Sequence, residues 1–158
     1  MSDAPLRLLA DGMLGRLARW LRLLGYDTAY DADADDLDLA RWARAEGRVL
    51  LTRDRALARR RGLRTLLITS ERLEEQVRQV RQALGPPPSP ILSRCSLCNL
   101  PLEPVSPEEI ASRVPPYVLQ TQERFSLCPG CGRVYWAGTH VAHMRQQIAG
   151  QETIRTTP

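Results

Sequence analysis

The 158-residue sequence predicts an α/β fold, a parallel sheet with helices on both faces, followed by a small C-terminal part of a different kind. Two observations carry this. Up to residue 85, short apolar runs alternate with helix-periodic stretches, the pattern of crossovers joining parallel strands. Then Gly85-Pro86-Pro87-Pro88-Ser89-Pro90 interrupts regular structure, because proline lacks a donor and fixes φ, and all four cysteines follow it. The expected organisation is a domain over 1–85, a linker over 86–90 and a second domain over 91–158.

Leu6 to Ala10 is an apolar run ending in Asp11-Gly12, the first expected strand. From Met13 to Leu24, positions 14, 17, 18, 21 and 24 place leucines and one alanine on a single helical face, and Gly25 suits a C-terminal stop. Tyr26 to Tyr30 alternates like a half-exposed strand. A helix is expected from about Leu37 to Glu46, with Asp36 as its N-cap and Gly47 as its end. Val49-Leu50-Leu51-Thr52 reads as a buried parallel strand. A short arginine-rich helix, a strand at Leu66–Thr69 and a helix over Glu71–Leu84 behind a Ser70 cap complete the first domain. The second domain shows little periodicity, apart from an expected closing helix from about Thr139 to Ile148.

Apolar residues make up 43% and charged residues 25%, which excludes a disordered tail or a fibre. No run approaches the roughly 18 uncharged apolar residues of a membrane helix, and Asp11 cuts short the only apolar patch near the start. The expectation is a cytoplasmic protein. The net charge is +4, and all 22 cations are arginines, a mark of a GC-rich genome as much as of a phosphate-binding surface. Their distribution says more. Asp27, Asp31, Asp33, Asp35, Asp36 and Asp38 crowd residues 27–38 without a cation, whereas residues 41–64 hold nine arginines against Glu46 and Asp54. An acidic cluster beside a basic stretch suits metal-dependent chemistry on polyanions; solvated surface is the alternative.

Cys95-Ser-Leu-Cys98 and Cys128-Pro-Gly-Cys131 are two Cys-x-x-Cys pairs. Each spacing lets two sulfurs of one tight turn face the same ion, and two such turns complete a tetrahedral Zn²⁺ site. Four thiolates leave no open position, so the expected zinc is structural. His140 and His143 could share a face of the last helix, although local packing explains them as well. Tyr135, Trp136 and His140 could offer a stacking surface to bases.

Asp11 ends the first expected strand and Asp54 follows the third, and carboxyl ends of parallel strands converge on one crevice. Asp36, at the start of the intervening helix, could reach the same edge, with Asp35 as its competitor. Three converging carboxylates favour hard divalent cations such as Mg²⁺ or Mn²⁺. Each acid also has a plain structural use, Asp36 and Asp54 as helix caps and Asp11 as a turn residue. Arg16, Arg19, Arg53 and Arg55 flank the acids as candidate phosphate contacts. Arg41, Arg44 and Arg48 are expected on one helical face.

Asp11-Gly12-Met13-Leu14-Gly15-Arg16-Leu17-Ala18-Arg19-Trp20-Leu21-Arg22-Leu23-Leu24-Gly25-Tyr26 and Leu50-Leu51-Thr52-Arg53-Asp54 resemble the PIN-like ribonuclease domain of the Mut-seven C-terminal family. The resemblance continues through Arg94-Cys95, Cys98-Asn99, Pro101-Leu102, Val114-Pro115-Pro116-Tyr117, Cys128-Pro129-Gly130-Cys131-Gly132 and Tyr135-Trp136-Ala137-Gly138-Thr139-His140. It implies a PIN-like domain followed by a zinc ribbon, RNA as substrate, and a metal-dependent ribonuclease. By position, Asp11 matches the acid after the first strand, Asp36 the acid before the helix, and Asp54 the acid of the Thr-x-Asp motif. Ala56 stands where such nucleases often carry a further acid. That departure motivates a second reading, an RNA-binding or assembly module without turnover. A toxin nuclease with a cognate antitoxin is a third, disfavoured because toxin-type chains usually lack the ribbon.

Overall fold

Strands β1 (Arg7–Ala10), β2 (Asp27–Tyr30), β3 (Val49–Thr52) and β4 (Thr65–Leu67) form a parallel sheet in the order β2-β1-β3-β4. The structure is a computed structural model that describes residues 4–138, 142 and 143. It divides into two compact units, Met1–Asn99 and Leu100–Pro158. All four residues of β3 are buried, as a central parallel strand requires. Ala10 pairs with Tyr30 on one side and Leu51 on the other, so the residues that follow β1, β2 and β3 open along one carboxyl edge.

The flanking helices are α1 (Gly15–Leu24), α2 (Asp36–Glu46), α3 (Arg55–Ala58) and α4 (Leu73–Leu84). The apolar stripe of α1 buries Leu17, Ala18, Leu21 and Leu24, each fully buried leucine contributing about 1.5–3 kcal/mol. Leu39 and Ala43 of α2 join Leu9, Ala29, Leu50 and Leu57 in one core cluster. Gly25 closes α1 in the left-handed region, and a Cβ there would overlap the carbonyl of Ser89.

Several expected boundaries shift. The N-cap of α2 is Asp35, not Asp36: its carboxylate accepts from Asp38 N at 2.8 Å, and the Asp38 carboxylate accepts from Asp35 N in return. Ser70 does not cap α4, whose N-cap is Arg72 without a side-chain bond. Its hydroxyl accepts from Arg72 N and donates to Glu75, so it closes a turn before the helix. Strand β4 starts one residue earlier than expected and ends at Leu67, although Ile68 N still donates to Thr52 O at 2.7 Å. Arg48 lies beyond α2, because Gly47 ends that helix in the left-handed region and turns Arg48 inward.

Tyr26 is 1% exposed, and its hydroxyl donates to the Gly85 carbonyl at the end of α4 at 2.6 Å. Burial pushes this phenol up to about 12, against the pull of Arg81. A folded value above the ordinary one, about 10, means that the neutral phenol stabilises the fold fully below pH 10. That contribution is lost as pH rises through 12. Alkaline titration of phenolate absorbance should show Tyr26 ionising together with unfolding. Tyr26→Phe should remove that step and cost about 1 kcal/mol at neutral pH.

In the second unit, β5 (Glu103–Val105), β6 (Phe125–Leu127) and β7 (Val134–Tyr135) form an antiparallel sheet in that order. Two short helices, α5 (Pro107–Ile110) and α6 (Pro116–Thr121), each start on proline, where the missing N–H costs nothing. Ile110, Val114, Val118 and Phe125 make the core, and Trp136 packs against Phe125 with ring centroids 6.3 Å apart. Trp136 therefore serves this core in the first instance. The expected closing helix and His140 fall outside the described residues, apart from Ala142 and His143. No helix among the described residues is long and apolar enough to cross a membrane.

Candidate active site and metal centre

Asp11 leaves β1 with its backbone still in the ladder, Asp11 N donating to Leu51 O at 2.9 Å. Its carboxylate accepts from Gly12 N at 2.7 Å and from the Thr52 hydroxyl at 2.7 Å. Thr52 is fully buried at the end of β3, and its oxygen in turn accepts from Asp54 N at 3.0 Å. One hydroxyl thus ties Asp11 to the backbone of Asp54. Asp54 also caps α3, accepting from Ala56 N at 2.9 Å and Leu57 N at 3.2 Å through one oxygen. The capping role and a place at the carboxyl edge are compatible, because the second oxygen takes no part in the cap.

The loop between β2 and α2 shares this edge. The Tyr30 hydroxyl donates to Gly12 O at 2.7 Å, and a Cβ on Gly12 would lie 3.2 Å from the Ala32 carbonyl oxygen. Register puts Asp31 beside Asp11, one step beyond the Ala10–Tyr30 pair. Asp36 is exposed in the first turn of α2, and its carboxylate forms no hydrogen bond among the described residues. Asp35 is spent on its capping box, so the two neighbouring acids divide the work.

Of the candidate phosphate contacts, Arg16, Arg19 and Arg55 are exposed. Arg53 is half-buried, with Nη1 3.8 Å from Glu71 and a buried Nε that has no partner. A cleft of about 130 Å³ lined by Met13, Arg16, Glu71 and Leu73 lies beside it. Arg44 is held by loop carbonyls, donating to Arg61 O at 3.0 Å. Arg48 is committed to the fold, bound to Glu46 at 2.6 Å, Asp27 at 2.9 Å and Leu8 O at 2.9 Å. Burial opposes the charge of Arg48, yet the two carboxylates outweigh it and raise its pKa.

The sulfur atoms of Cys95, Cys98, Cys128 and Cys131 all lie within 4.8 Å of one another, and no disulfide joins them. Cys95 Sγ accepts from Leu97 N and Cys98 N, both at 3.4 Å. Cys128 Sγ accepts from Gly130 N at 3.4 Å and Cys131 N at 3.5 Å. Each turn then ends in the left-handed region, at Asn99 (φ 64°) and Gly132 (φ 76°). Backbone N–H groups aimed at sulfur suit a metal-bound cysteine, and four clustered cysteine sulfurs suit a structural metal such as zinc. Among the described residues, this is the one group of three or more acid, histidine or cysteine ligand atoms gathered so closely.

A family model of the Mut7-C RNAse domain matches residues 6–148. The chain belongs to the Mut7-C RNAse domain family. The matched span of this Mut7-C RNAse domain holds Asp11, Asp36 and Asp54 as well as all four cysteines. No curated protein and no solved structure matches the chain.

Three residues outside the candidate set support these side chains and turns. Thr52 sits inside the Thr-x-Asp motif without an assigned role there. Arg22 is 6% exposed and donates to Thr28 O at 2.7 Å, Ser96 O at 2.9 Å and Leu97 O at 3.3 Å. Its signal was a cation on the apolar stripe of α1, four residues after Ala18. Asn99 donates to Asp27 at 2.7 Å and accepts from Thr28 N at 3.0 Å. Nothing in the sequence marks that pairing.

Proposed function

We propose that this chain is a Mg²⁺- or Mn²⁺-dependent ribonuclease that hydrolyses RNA phosphodiester bonds at Asp11, Asp36 and Asp54. The observation that carries the reading is the Thr52 hydroxyl, which holds Asp11 and the Asp54 backbone at the carboxyl edge of the sheet, within a Mut7-C RNAse match. The donor set fits: carboxylate oxygens are hard ligands, and hard divalent ions prefer them. Such ions, when bound, activate water and stabilise the leaving oxygen of a phosphodiester. Asp11 is fixed by its two hydrogen bonds, whereas Asp36 is exposed on the first turn of α2. Arg16, Arg19, Arg53 and Arg55 would position the RNA backbone. The four cysteines would hold a structural Zn²⁺ in a ribbon. In this reading a PIN-like domain spans 1–85 and the ribbon 91–158, joined through 86–90, and the protein works in the cytoplasm.

The test is cleavage of end-labelled single-stranded RNA by the full chain with Mn²⁺, with EDTA, and by Asp54→Asn. Cleavage only by the wild type with Mn²⁺ is expected; an Asp54→Asn protein that cuts equally well overturns the reading. An RNA-binding module without turnover is the second reading. Ala56 in place of a further acid favours it, as does the looser spacing of the carboxylates relative to the cysteines. It predicts salt-dependent RNA binding that survives the Asp54→Asn change, with no cleavage by either protein.

A further inference from the structure

A second concentration of positive charge lies at the opposite edge of the sheet. A cavity of about 240 Å³ opens there, lined by Arg44 of α2, Gly47, Arg48, Gly62 and Arg64. Arg48 and Arg64 stand immediately before β3 and β4, at the amino ends of these strands, and the carboxyl end of β3 leads to Asp54. No carboxylate lines the cavity. The two acids of the 41–64 stretch are already engaged. Glu46 is bound by Arg48 at 2.6 Å and faces Arg7 at 3.6 Å, while Asp54 caps α3.

The arginines differ in how their donors are spent. Arg44 gives two of its five N–H groups to Arg61 O and Gly62 O, which fixes the guanidinium in place and leaves the others unspent. Arg48 is neutralised by its carboxylates. Arg64 forms no hydrogen bond or ion pair through its side chain among the described residues. A structural arginine is usually spent on a carboxylate or carbonyl, whereas Arg64 presents a complete planar fork beside a cavity without acid. Such a fork matches the oxygens of a phosphate.

We propose that this cavity binds a phosphate of the RNA backbone, with Arg44 and Arg64 as its ligands, and so holds the strand away from the point of cleavage. The ligand rests on the ribonuclease reading; the location rests on the cavity and its arginines. Strand β3 has four residues, about 13 Å at the usual rise, so the bound phosphate sits a few nucleotides from the aspartates. Short RNA cannot reach both places.

The test uses the full chain without added Mg²⁺ or Mn²⁺, as wild type and as Arg64→Glu. Inorganic phosphate is titrated while the amide resonances of Gly47 and Gly62 are followed, and a labelled RNA dodecamer is bound in parallel. Phosphate should shift both glycines in the wild type only. Arg64→Glu should weaken the dodecamer about tenfold and lower its salt slope by about 0.7. Unmoved glycines together with unchanged dodecamer binding overturn the site. Shifted glycines with unchanged dodecamer binding assign the cavity to free phosphate and overturn its role toward RNA. Because neither readout needs turnover, a protein that passes them and cuts no RNA defeats the ribonuclease reading alone.

Discussion

Asp11→Asn is expected to abolish RNA cleavage by about a thousandfold or more while leaving the fold within about 1 kcal/mol of wild type. The amide oxygen of asparagine can still accept from Gly12 N or the Thr52 hydroxyl, so the turn after β1 keeps a partner. What it loses is the negative charge that would hold the proposed divalent cation; such an ion would supply several kcal/mol of transition-state stabilisation, where about 4 kcal/mol equals three powers of ten. Thr52→Val probes the support instead. It removes the hydroxyl that bonds Asp11 and accepts from Asp54 N, and should lower kcat about 10–100-fold with little change in KM. The neighbouring acids of α2 provide the contrast. Asp35→Ala deletes the N-cap and should cost about 1 kcal/mol of stability with cleavage intact. Asp36→Ala should leave stability unchanged and remove cleavage. The four variants are compared by kcat, KM and thermal midpoint on the same RNA. Full activity in Asp11→Asn, or loss of activity in Asp35→Ala rather than Asp36→Ala, would defeat the assignment.

That contrast also shows where sequence reading stops. Val49-Leu50-Leu51-Thr52 is apolar without alternation, and only a strand covered on both sides tolerates that, so β3 and the parallel sheet were legible. The stop at Gly25 and both cysteine turns were legible because their chemistry is local. The choice between Asp35 and Asp36 was not. Both residues can cap, and a helix of eleven residues keeps its apolar face whether it starts one position earlier or later. Helices α5 and α6 have four and six residues, too few for periodicity to register. The spacing sets Arg48 on one helical face with Arg41 and Arg44, but the left-handed Gly47 ends the helix and turns Arg48 into Asp27 and Glu46. Arg22 and Asn99 have partners some seventy residues away. Only the folded chain brings them together.

Those long-range partners lead to the second large effect. Removing the metal that the cysteine cluster is proposed to hold should lower the melting midpoint of the parallel-sheet unit itself by roughly 12–24 °C. The reason lies in residues 94–99. Strand β2 is an edge strand, and Asn99 satisfies its Thr28 N–H while bonding Asp27. Arg94 donates to Asn99 O at 2.7 Å and lies 3.8 Å from Asp27. Arg22, buried in α1, depends on the Ser96 and Leu97 carbonyls inside the first cysteine turn. Burial pulls its pKa down, and the nearby Cys95 and Cys98 pull it back up. A turn without its metal loses the fixed geometry that presents those two carbonyls. The guanidinium would then be buried with part of its donors unmet, at a cost of about 3 kcal/mol, and each kcal/mol moves the midpoint of a domain this size by about 4–8 °C. Trp20 and Trp42 report on this unit by fluorescence once Trp136→Phe silences the other tryptophan. Arg22→Met supplies the cross-check: with no cation left to strand, the variant should start lower in stability yet respond to chelation by less than half as much as wild type. An unchanged Trp20 and Trp42 transition after complete metal removal, or an equal response in Arg22→Met, would show that the cysteine turn does not brace the sheet.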